Sequence, residues 1–124
     1  MLNETVRDHI HNARNSGVIE NPDAVGFWGS DCGDHVRFYL KINEEGIVED
    51  ARYQAVGCGC ALASSSALSE MVKGKTVKDV KAIGIEEVLE VLGGLPEQKV
   101  HCSEMSRNSL MTAVHNFLGE SYSV

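Results

Sequence analysis

Between His35 and Ile42 apolar and polar residues alternate, with Val36, Phe38, Leu40 and Ile42 on one side and His35, Arg37, Tyr39 and Lys41 on the other. A period of two is the mark of a half-buried strand. Asn43-Glu44-Glu45-Gly46 then supplies a hairpin turn, and alternation resumes from Ile47 to Val56 with Ile47, Ala51, Tyr53 and Ala55 on one face. If Ile42 faces Ile47, antiparallel register sets Val36 near Tyr53 and carries Cys32 to the same end of the hairpin as Cys58. Val25-Gly26-Phe27-Trp28-Gly29 reads as a short edge strand, with Trp28 a packing residue.

Elsewhere the period is helical. Leu2, Val6, Ile10 and Ala13 follow a helix stripe beside Asn3, a good N-cap type, and the segment runs out at Asn15-Ser16-Gly17. The stripe is narrow, which predicts a loosely docked helix. After Gly57-Cys58-Gly59 the residues turn small and helix-compatible, with Ala61, Ser64, Ser65, Leu68, Met71 and Val72 on one face up to Lys73-Gly74. The serines offer a surface for close helix packing, and no nucleophile elbow or base accompanies them. Thr76 caps a short helix over 77–83, with Asp79 in its first turn. Ile85, Val88, Leu89 and Leu92 mark another, stopped by Gly93-Gly94 and Leu95-Pro96. Leu110, Met111, Val114, Phe117 and Leu118 give a long C-terminal helix, for which Ser103 is the expected N-cap.

A chain of 124 residues, 43% hydrophobic and 23% charged, has the composition of one folded domain, and we read residues 1–124 as that domain. The net charge of −7 without a dense Lys/Arg run excludes an electrostatic footprint for nucleic acid or an anionic membrane. No apolar run is long enough to span a bilayer, and the acidic first residues lack the features of a signal peptide, so a cytoplasmic protein is expected. Four cysteines in that setting point to reduced thiols serving metal or redox chemistry.

Three of those thiols have telling neighbours. Cys58, bracketed by glycines, sits at a strand-to-helix corner where orphan N–H groups and the helix dipole favour thiolate. Cys102 repeats the situation at the last helix, with His101 beside it, and Cys32 precedes Gly33-Asp34. Thiolates with imidazole are the donor set of zinc and iron-sulfur sites, and one ligand per loop is not zinc-finger spacing. The harder Asp34 carboxylate suits a site meant to be labile or open. His11, His35 and His115 have no neighbouring thiol motif and read as surface or hydrogen-bonded histidines.

These residues, in this order, resemble the iron-sulfur cluster assembly scaffold family of the IscU and NifU N-terminal type. The resemblance runs through Cys32-Gly33-Asp34, Gly57-Cys58-Gly59 with Ala61 to Ser66, and Leu95-Pro96 through Lys99 to His101-Cys102-Ser103, and covers nearly the whole chain. It implies an α+β fold, a three-stranded antiparallel sheet with helices packed on one side, a long C-terminal helix and the cysteines at one end. It also implies a scaffold without catalytic turnover of its own, assembling a two-iron two-sulfur cluster from iron and persulfide sulfur and passing it on. On this resemblance Cys32, Cys58 and Cys102 hold the cluster, Asp34 or His101 completes the site, Cys102 is the persulfide acceptor, and Lys99 acts electrostatically. The implied partners are a cysteine desulfurase, acceptor apo-proteins such as ferredoxin, and a frataxin-like protein. The alternative is a SufU-like sulfur carrier with zinc at the same ligands. Two departures stand out. Glu97 and Gln98 alter the segment read by a specialised chaperone in relatives, which counts against chaperone-assisted release, and Cys60 replaces the usual small residue, as a serine substitute, a fourth ligand or a resolving thiol.

Overall fold

Both alternating stretches form strands in the computed structural model, which describes residues 2–30 and 33–122. Strands β1 (Ala24–Gly29), β2 (His35–Ile42) and β3 (Val48–Val56) make one antiparallel sheet in the order β1-β2-β3. Helices α1 (Glu4–His11), α2 (Gly59–Val72), α3 (Val77–Lys81), α4 (Ile85–Leu92) and α5 (Val100–Phe117) complete the fold, with a 3₁₀ turn at Glu97–Lys99 leading into α5. As predicted, Val36, Phe38, Leu40 and Ile42 are all buried, on the face that α2 and α5 cover. The opposite face is open, and there Arg37 lies 5.2 Å over the Phe27 ring. No helix among the described residues is long and apolar enough to cross a membrane.

The hairpin register differs from the expected one. Ile42 faces Val48, and a bulge beyond Lys41↔Asp50 shifts the remainder, so that Val36 pairs with Ala55 and Phe38 with Tyr53. Ile47 is drawn out of the ladder into a bridge with Thr76, while Asn43 Oδ1 accepts hydrogen bonds from the Glu45 and Ile47 N–H groups. The core then takes Val48, Ala51 and Tyr53, and Ala55 stays half-buried. Because β2 and β3 end together at His35↔Val56, Asp34 is still delivered beside Gly57.

Helix α2 is not the one-sided helix that its stripe suggested. Cys60, Ala61, Ala63, Ser64, Ser65, Ser66, Ala67, Leu68, Ser69 and Val72 are buried, because β3, α1, α4 and α5 surround it. A helix buried nearly all round must satisfy its polar groups internally. It does so by pairing serines with α5: Ser64 Oγ lies 2.6 Å from Ser103 Oγ, and Ser65 Oγ 2.9 Å from Ser106 Oγ. Ser103 is therefore not the N-cap of α5. The helix starts four residues earlier, off the 3₁₀ turn, with Lys99 at the cap position and Ser103 fully buried against α2. Removing one hydroxyl of such a pair leaves its partner buried with one hydrogen bond fewer. Ser64→Ala should cost about 1–2 kcal/mol, and Ser64→Ala with Ser103→Ala less than the sum of the single changes. Urea unfolding of the four proteins in that cycle measures the difference.

The first helix is held more firmly than its narrow stripe implied. Asn3 Oδ1 accepts from the Val6 N–H, as a cap should, while Asn3 Nδ2 donates to the Leu92 and Gly94 carbonyls. Val6 is fully buried, and His9, 8% exposed, makes a 2.8 Å hydrogen bond with Ser66. Burial, assisted by the Arg14 charge, holds the His9 imidazole below its ordinary pKa. The docking is polar, which an apolar stripe cannot reveal.

Candidate functional site

The β3-to-α2 corner is set by Gly57, with φ +155°, in a backbone region that favours glycine. A Cβ there would lie 3.1 Å from Asp34 Cγ and 3.2 Å from Oδ2, so the missing side chain also makes room for the carboxylate. Asp34 is fixed from its own side as well, since its carbonyl accepts from the Ser30 N–H at 2.8 Å. Cys58 follows as the N-cap of α2.

Helix α5 brings the second thiol. Cys102 lies in its first turn, 1% exposed, and its sulfur is 3.2 Å from that of Cys58. The exposed His101 points Nε2 to within 3.6 Å of the Cys102 sulfur. Thus Cys58 and Cys102 are drawn together from two helix N-termini, with His101 Nε2 beside the Cys102 sulfur and Asp34 against the adjoining glycine. Cys32, the remaining predicted thiol, lies outside the described residues. Among the described residues no three His, Cys, Asp or Glu side chains converge as a metal-binding group.

The two sulfurs are electrostatically unlike. Burial raises the Cys58 pKa, but the hydrogen bond from Cys102, the Ala61 and Cys60 N–H groups and the Lys99 charge outweigh it, and the thiol ends below its ordinary value. For Cys102, burial, the hydrogen bond with Cys58 and the charges of Cys58 and Cys60 act together and push the thiol up to about 12. Of the two, Cys58 is therefore the readier to ionise, and a thiolate there would accept a charge-assisted hydrogen bond from the Cys102 S–H. The Lys99 charge works to lower the pKa of both thiols. Cys60 is 2% exposed in the core beneath the corner, with burial raising its thiol. A groove of about 330 Å³ flanks His101, lined also by Trp28, Ser30, Glu104, Met105 and Asn108.

The histidines set aside in the sequence have other work: His35 pairs with the Gly33 carbonyl, and His115 with Glu120. What sequence reading missed is the serine latch holding the two thiol-bearing helices together. Its signal was present, because Ser103 and Ser106 stand one turn apart on α5 and pair with Ser64 and Ser65 of the serine run on α2.

Comparison with known proteins agrees with the fold. The sequence matches the family model described as the NifU-like N terminal domain over residues 1–123. It is 45% identical over 119 residues to the nitrogen fixation protein NifU of Azotobacter chroococcum, covering 94% of this chain and 38% of that one, so it spans well under half of that relative. It is 43% identical over 118 residues to the iron-sulfur cluster assembly scaffold protein IscU of Aquifex aeolicus, covering 94% of this chain and 75% of the relative. A crystal structure of an N-terminal NifU-like protein from Brucella abortus has the same fold, with a TM-score of 0.75 at 22% identity over 96% of this chain and 95% of that one.

Proposed function

Because the chain belongs to the NifU-like N-terminal domain family, we propose that it is a scaffold on which a two-iron two-sulfur cluster is built and from which the cluster is handed to apo-proteins. The observation that carries this reading is the pair of thiols from separate helices with sulfurs 3.2 Å apart, flanked by His101 and Asp34. Thiolate and imidazole suit iron, and two helix N-termini favour the anionic sulfur that binds it. Cys32, Cys58 and Cys102 are the thiolate ligands in this reading, with Asp34 or His101 as the fourth donor. Sulfur arrives as a persulfide from a cysteine desulfurase and comes to rest on Cys102. Lys99 moderates the negative charge that accumulates as thiolates and sulfide collect. The iron and sulfide are cargo, so the protein needs no turnover of its own.

The reading is tested by loading the protein anaerobically with ferrous iron, cysteine and a desulfurase, then adding an apo-ferredoxin. Appearance of the ferredoxin spectrum at the expense of the scaffold's supports it. Failure of the cluster to form, or to leave, counts against it.

Asp34 makes a separate prediction. A permanent iron site is best served by sulfur, whereas a scaffold must release its product, and a carboxylate beside the cluster is a weak ligand or a charge that eases thiolate exchange. Asp34→Ala should still assemble a cluster, which then decays more slowly and transfers more slowly than in the wild type. Faster decay and transfer would make Asp34 a holding ligand.

A further inference from the structure

The two thiols differ in access as well as in charge. Cys102, proposed above as the resting place of persulfide sulfur, is 1% exposed, whereas Cys58 stands half-buried at the open corner. A donor cannot place its outer sulfur on a side chain so enclosed without moving the chain around it. Cys58, by contrast, keeps solvent-accessible surface, and its sulfur is 3.2 Å from that of Cys102. We propose that Cys58 is the thiol that receives sulfur from outside and that it passes the sulfur to Cys102, so that the pair works as a two-step relay. This deepens the scaffold reading and rests on Cys102 being the sulfur acceptor.

The chemistry balances without an added oxidant or reductant. In the first step a donor persulfide, RS–SH, loses its outer sulfur to Cys58, giving Cys58–S–SH and the thiol RSH. In the second, the Cys102 sulfur attacks the outer sulfur of that persulfide. A new S–S bond forms to Cys102, the old S–S bond to Cys58 breaks, and its electron pair stays on the Cys58 sulfur, which takes up the proton released by Cys102. The products are Cys58–SH and Cys102–S–SH, and no sulfur is oxidised or reduced overall. Two S–S bonds of about 2.05 Å placed end to end span about 4.1 Å. Both bonds are partial as the sulfur passes across, so the observed separation has to open by at least about 1 Å, which a rotamer change at the half-buried Cys58 supplies. Cys60 has no part in the relay, because it is enclosed in the core and offers neither a route in nor a destination.

The test uses the full chain, metal-free and anaerobic, with glutathione persulfide as the probe. Samples are alkylated at intervals and the persulfide on each cysteine is mapped by peptide mass spectrometry. In the wild type, label should appear first on Cys58 and then on Cys102. In Cys102→Ser it should stay on Cys58. Cys58→Ser retains a preferred N-cap residue and so keeps the corner folded, but its Cys102 should load at least about tenfold more slowly. Cys60→Ser should behave as the wild type. Cys102 loading in Cys58→Ser at the wild-type rate, or label appearing first on Cys32, would overturn the relay and leave the scaffold reading standing. Absence of persulfide from every cysteine of the wild type would overturn both.

Discussion

Replacing either Cys58 or Cys102 by serine should abolish cluster assembly while leaving the fold intact. The two sulfurs lie 3.2 Å apart and are positioned by the starts of α2 and α5, so no other described thiol can substitute for one that is lost. Cys60, the nearest in sequence, is closed off in the core. Losing an outer hydrogen-bonding partner of a metal ligand typically costs about 10–100-fold in affinity, and losing a ligand itself should cost at least as much. Cys32→Ser is expected to behave alike on the ligand reading. Iron and acid-labile sulfide content after anaerobic reconstitution measures the effect, with circular dichroism to establish that each variant is folded. Wild-type cluster content in all three variants would remove the site assignment.

Gly26→Ala should cost about 3 kcal/mol or more of stability, at the upper end of what overpacking does. Strand β1 and helix α5 approach so closely that a Cβ on Gly26 would fall inside the backbone of Ser109 and Ala113, and 2.9 Å from Ala113 Cα. Backbone cannot swing aside as a side chain can. The approach is fastened by Ser109 Oγ, which donates to the Gly26 and Val36 carbonyls at 3.1 and 2.8 Å. A methyl group there must lift α5 from the sheet and break that latch, and α5 is the element that carries Cys102. The expected results are a lowered urea midpoint with little change in slope, and a weakened cluster in the folded fraction. An unchanged midpoint would mean that the helix can shift at no cost.

Much of this was legible before any coordinates. The strand over 35–42 and its buried face follow from strict alternation, and the boundaries of α1 and α4 from Asn3 and Gly93. The setting of Cys58 and Cys102 at helix starts was readable from the chain, whereas their meeting was implied only by the family resemblance. Where the sequence misled, a local signal was overruled by a longer-range one. Ile47 fits the alternation but is taken by Thr76, so the register moved. Ser103 is a good cap residue, but a buried hydroxyl on α2 claims it, and the 3₁₀ turn after Pro96 starts the helix sooner. His9 carries no motif, and its burial against Ser66 depends on where α1 is placed by Asn3 and by Gly59, whose missing side chain admits Ile10. The unequal access of the two thiols was also beyond the sequence, because burial of Cys102 comes from the whole packing of α2 against α5.

The most direct test of the scaffold account is the metal and sulfide content of the protein isolated without oxygen, read together with its visible absorption. The account predicts iron and acid-labile sulfide in near-equal amounts and a sulfide-to-iron charge-transfer spectrum that disappears on transfer to an apo-ferredoxin. Zinc alone, with no sulfide and no colour even after incubation with iron, cysteine and a desulfurase, would contradict it and leave a zinc-bound sulfur carrier or a static metal site in its place.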